Sequence, residues 1–201
     1  MNESAGSAAK KATAAGFLIG IGCAANASVG GIAGAILFST ALVLIVATGL
    51  PLFTGKIGFV TSSRDLENAI RSLPWNLAGA GLAALLFAVT QLGDATAFVS
   101  AQTSGAAKCA TPLGAFFAKA VFCGVLVHMA VKAYRTSARL APVILCVVAF
   151  VQCGYEHCVA DAFVLAFTET DVLTAVVHLA TAITGNAIGA LFIEIHTRTE
   201  R

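Results

Sequence analysis

The chain has 201 residues, of which 58% are apolar and only 11% charged, with a net charge of +2 and a mean hydropathy of +0.89. A soluble domain of this length carries about a quarter charged residues, so the composition excludes an ordinary soluble domain. No nucleic-acid partner is expected. The opening MNESAGSAAKKA is polar and is followed by an apolar segment long enough to span, which reads as a chain without a cleavable signal peptide. The six cysteines form no C-x-x-C pair and five of them lie in apolar runs, so they read as reduced core residues, with no metal site and no cofactor.

A spanning helix needs about 20 mainly apolar residues. Six segments qualify, at about 12–29, 32–60, 73–92, 113–131, 140–167 and 172–195. The second and fifth are too long for one straight span, and both are interrupted. Residues 48–55 of the second hold Gly49, Pro51 and Gly55, which break the backbone ladder. The fifth carries Gly154 followed by Glu156, His157 and Asp161.

Six spans with the middle one of each triplet broken point to an all-α membrane protein. Its expected form is two inverted three-helix repeats, aquaporin-like in logic, whose broken helices meet near the membrane midplane. The expected parts are a cytoplasmic tail at 1–11, a first repeat at 12–92, a connecting loop on the outer side at 93–112, a second repeat at 113–197 and a tail at 198–201. Glycine pairs such as Gly30/Gly34 and Gly185/Gly189 permit close helix contact, most simply inside one subunit. Ten of the twelve Lys and Arg residues fall on one side of this topology, whereas Asp94, Glu169 and Asp171 fall on the other. The positive-inside rule then puts both termini in the cytoplasm.

Ionisable groups at bilayer depth are costly and usually face a cavity with a function. The cluster Glu156, His157 and Asp161 is therefore the first candidate site. Its setting, GYEHCVAD at 154–161, resembles the G-F-E-H-S-x-A-N signature of the formate/nitrite transporters, a family of pentameric small-anion channels that includes hydrosulfide and lactate members. LFTG at 52–55 resembles the L-F-T-[GS] loop in that family's second helix, and ITGNAIGA at 183–190 resembles its I-G-N-x-x-G-G pattern. Lys108 stands where the family has a lysine before the fourth helix. The likeness runs from Gly16 onward.

The resemblance implies a homopentamer in the bacterial inner (plasma) membrane, each protomer with its own path. His157 would be the central histidine and Thr54 its hydroxyl partner. Phe38, Leu42, Leu52, Phe53, Val127 and Phe150 fall at the constrictions, Asn186 at a pore-facing asparagine, and Lys108 at an outer mouth that draws anions in. Two positions depart from the pattern. The fourth-helix asparagine is Gly124, in VFCGVLVH at 121–128, and the asparagine after the histidine is Asp161. Both changes remove an amide donor. His128 lies one turn from Gly124 and Asp161 one turn from His157, so the pair is a candidate compensating set.

A small anion cannot cross a dry apolar ring while charged and unpaired. A histidine, with a reference pKa of about 6.5, can supply a proton or a charge, and flanking cations can concentrate anions at the mouths. The expected function is a channel or proton-linked transporter for small monovalent weak-acid anions, formate first, then nitrite or hydrosulfide. The expected partners are that anion, protons and membrane lipid. No enzymatic activity is expected: an intramembrane enzyme built on the Glu156, His157 and Asp161 cluster would need a second carboxylate or histidine motif at metal-binding spacing, and the other rival, a neutral-solute pore, would need paired Asn-Pro-Ala loops.

Overall fold

The computed structural model describes residues 5–91 and 95–198. Among the described residues every regular element is helical. The order is α1 (Ala5–Val29), α2 (Gly31–Thr48), α3 (Phe53–Lys56) running into a 3-10 turn (Ile57–Phe59), α4 (Ser63–Thr90), α5 (Thr96–Ala110), α6 (Leu113–Ser137), α7 (Ala141–Gln152), α8 (Cys158–Leu165) and α9 (Val172–Thr197). Five of these, α1, α2, α4, α6 and α9, are long and apolar enough to cross a membrane.

Helix α1 starts at Ala5 and α6 runs to Ser137, both beyond their apolar runs, and two further departures have local reasons. Helix α4 begins at Ser63, ten positions before the apolar run at 73. Ser62 caps it by accepting the Asp65 N–H at 3.2 Å, and Asp65 sits in the first turn, where a carboxylate suits the helix dipole. Polar residues thus extend the helix beyond its apolar part. The connector expected as a loop is helix α5. Its small residues let it lie against α8, where Gly105 abuts the Val164 carbonyl. Residues 93 and 94 of that connector lie outside the described residues.

The helices pack as two matching pairs around a central pair. Helix α1 lies along α4, α6 along α9, and α2 against α7. A Cβ on Gly16 would overlap the Asn76 carbonyl, and a Cβ on Gly124 would overlap that of Asn186. Gly79 meets the Thr13 carbonyl as Gly189 meets that of Val121. One set of close contacts is therefore made twice, at positions 108 to 110 apart. Gly185 likewise meets Ala120 of α6, so the glycine spacing serves packing within the chain. Many large apolar side chains face outward, among them Leu85, Leu145, Val172 and Ile195, as in a protein whose outer solvent is hydrocarbon.

Candidate functional site

Both expected breaks are present, and both are built alike. Gly49 ends α2 at φ 70° and Gly154 follows α7 at φ 63°, left-handed conformations that suit glycine. Beyond each break the chain runs extended for a few residues before a short helix begins. Such a stretch has unpaired backbone groups, tolerated at membrane depth only when protein or water satisfies them. Two buried asparagines do so. The Phe53 N–H donates to Asn76 Oδ1 at 2.9 Å, while Asn76 Nδ2 donates to the carbonyls of Pro51 and Ala12 at 2.9 and 2.8 Å. In the second half the Cys158 N–H donates to Asn186 Oδ1 at 2.9 Å, and Asn186 Nδ2 donates to the carbonyls of Glu156 and Ala120 at 2.7 and 2.8 Å.

The clamps bring the two short helices together at one bond. Thr54 Oγ1 lies 3.0 Å from His157 Nε2, and both residues are buried. His157 also caps α8, its Nδ1 accepting the Ala160 N–H at 3.3 Å. An Nδ1 that accepts has no proton, so Nε2 carries the hydrogen and donates it to Thr54. The Thr54 O–H is then left to donate elsewhere. A second proton on the ring would have to displace the Ala160 cap.

Above His157 is a cavity of about 160 Å³ lined by Cys23, Phe38, Ser100, Lys108, Phe150, His157 and Asp161, among others. Phe150 stacks on the imidazole at 5.8 Å between centroids, and Phe38 meets Phe150 edge-on at 5.7 Å. These two rings come from the central helices α2 and α7. The same lining holds the ammonium of Lys108, bonded to the Glu156 carboxylate and to Asp161 Oδ1 at 2.9 Å. A second cavity, of about 730 Å³, adjoins the first break and is lined by Lys11, Lys56, Arg64 and Arg71 together with Glu67 and Trp75.

Several residues stand elsewhere than the sequence led one to expect. Lys108 is no exposed loop cation: it projects from α5 and its side chain is 18% exposed, held between two carboxylates. Asn186 does not line the cavity; its amide clamps the second break. Gly124 opens no chamber either, because the room left by its missing side chain is filled by the α9 backbone. His128 belongs to a different cluster from Asp161. Its Nε2 lies 2.8 Å from Glu194 Oε2, which also accepts from Lys132, and its ring packs at a tilt of 38° against Phe59 beside Gly58. Leu42, Leu52, Phe53 and Val127 are buried in the core, and of the six constriction candidates only Phe38 and Phe150 line the cavity over His157. Asn76 was missed. Its signal was its place in the first half, 110 positions before Asn186.

The family model described as formate/nitrite transporter matches residues 1–197. Among curated proteins, the nitrite transporter NirC of Salmonella typhimurium is 32% identical over 146 residues, 65% of this chain and 54% of that protein. NirC of Escherichia coli is 29% identical over the same extent. The match thus spans about half the length of these curated relatives. Among solved structures, a pentameric formate channel with formate bound superposes at a TM-score of 0.80 and 20% identity, covering 96% of this chain and 95% of that one. An FNT family ion channel superposes at 0.77 and 24% identity, with 96% and 94% coverage. At these identities the two structures speak for the fold.

Proposed function

The chain belongs to the formate/nitrite transporter family, and on that premise we propose that it is a channel for small monovalent weak-acid anions in a bacterial inner membrane. The reading rests chiefly on the Thr54–His157 bond. It joins the two broken helices at His157, which lines the cavity, and leaves the hydroxyl proton of the buried Thr54 free to donate. An anion arriving there meets a dry aromatic pair, Phe38 and Phe150, and a donor oriented by a neutral imidazole. Val127, Leu42, Leu52 and Phe53 form the apolar lining further in. The basic cavity beside the first break would gather anions on the inner side.

The assembly is a homopentamer of protomers, each two inverted three-helix repeats. Support comes from the paired asparagine clamps, the paired glycine contacts and the solved formate channel described as pentameric. The charge bias puts both termini in the cytoplasm. Formate is the leading permeant, and nitrite is the second reading because the curated relatives are nitrite transporters. Uptake of formate, nitrite, hydrosulfide, lactate and glycerol into proteoliposomes tests the reading. Formate or nitrite flux that falls in Thr54→Val supports it, and glycerol flux without anion flux overturns it.

A further inference from the structure

Charge bookkeeping in the outer cavity does not close as drawn. One ammonium, Lys108, serves two buried carboxylates, Glu156 and Asp161, which are 2% and 1% exposed. With all three ionised the cluster is a net anion, in a low-dielectric wall that an anion must pass. A buried charge without a partner is strongly disfavoured. Like charges sharing one site leave one of them protonated. Asp161 Oδ1 bonds Lys108, whereas Asp161 Oδ2 is buried with no hydrogen-bond partner. A bare carboxylate oxygen in that position is an unmet acceptor; an O–H there is a donor beside the cavity that Asp161 lines.

The other groups facing Asp161 offer no substitute. From α5 comes Lys108, already shared. From the break come Glu156, bonded to the same ammonium, and His157, whose two ring nitrogens are both bonded. From α1, α6 and α8 come the free thiols of Cys23, Cys123 and Cys158, which are uncharged at neutral pH as ordinary thiols are.

We propose that Asp161 stores one proton in this cluster and passes it to each anion entering the outer cavity. The transfer rests on the weak-acid-anion reading above. The Asp161 O–H bond breaks and an O–H, or S–H for hydrosulfide, forms on the permeant, which becomes its neutral acid. The carboxylate left behind pairs with Lys108. The neutral acid passes Phe38 and Phe150 and releases its proton to water beyond, and outer water reprotonates Asp161. One proton moves with each anion and nothing is oxidised or reduced. Asp161 is thus the proton donor of the path, and His157 orients Thr54.

Infrared spectra of proteoliposomes without permeant, titrated through neutral pH, read the stored proton directly. Protein labelled with carboxyl-13C aspartate should show one label-shifted acid carbonyl band per protomer at neutral pH, lost in Asp161→Asn. A wild-type spectrum without that band overturns the proposal, and this needs no variant to fold. In loaded liposomes with an internal pH dye, one proton should move with each anion in the wild type, and Asp161→Asn should slow anion flux severely, with protons moved per anion near zero in the flux that remains. An unchanged ratio overturns the transfer. A band with no anion flux in the wild type removes the channel reading, and the transfer with it; flux without the band removes only the present inference.

Discussion

Replacing Asn186 by alanine removes three hydrogen bonds at once: one accepted from the Cys158 N–H and two donated, to the carbonyls of Glu156 and Ala120. Ala120 lies inside α6 and keeps its helical bond, so its loss is small. The Cys158 N–H and the Glu156 carbonyl are in the break and lose the side-chain partner that holds them. An unsatisfied buried backbone group costs about 1–3 kcal/mol, so two put the loss at roughly 2–6 kcal/mol. Interhelical side-chain bonds in membranes average nearer 0.6 kcal/mol, because the separated helices find other partners. The upper range should win here, since the orphaned groups are backbone in a non-helical stretch. At about 4 kcal/mol the folded-to-unfolded ratio falls nearly a thousandfold. Thermal inactivation of detergent-purified protein, followed by oligomer size on gel filtration, measures it. Asn76→Ala deletes the matching bonds of the first break and should lose a similar amount. If Asn186→Ala keeps wild-type thermal stability and wild-type flux, the clamp argument is wrong.

Lys108→Ala leaves two buried carboxylates without their cation, a change worth about 3–5 kcal/mol, and flux should fall equally at low and high ionic strength. A loss confined to low salt would restore an exposed mouth charge. Phe150→Ala removes both the edge contact with Phe38 and the stack on His157, at about 3–5 kcal/mol; liposome uptake should then admit lactate alongside formate, and unchanged selectivity would count against the aromatic gate. Gly124→Ala must push α6 from α9 and should destabilise by about 1–3 kcal/mol, whereas Gly81→Ala, which meets nothing within 4 Å, should leave the melting temperature unchanged.

Local signals in the chain were enough to locate the apolar helices and their interruptions, though not the connector helix α5. Apolar runs mark the spans because hydrocarbon admits little else; Gly49 and Gly154 mark the breaks because few other residues take a left-handed conformation, and Pro51 because it has no N–H to give a helix. His157 and Thr54 could be paired through motifs that resemble a family. What lay beyond reach was every relation carried by side-chain direction across helices. Lys108 and Asp161 are 53 positions apart, and no periodicity says that a connector helix would deliver the ammonium to that carboxylate. His128 shares a helical face with Gly124 in any linear reading, yet the close approach of α9 fills that face with backbone and turns His128 to Glu194. Asn186 was expected at the pore because the family resemblance puts a pore-facing asparagine at its position. Only the tertiary structure reveals that the broken backbone, with its unpaired N–H and C=O groups, claims that amide first. Helix formation follows from neighbours in sequence and from the solvent around them. The protonation, pairing and exposure of the site depend on distances between helices that only packing decides.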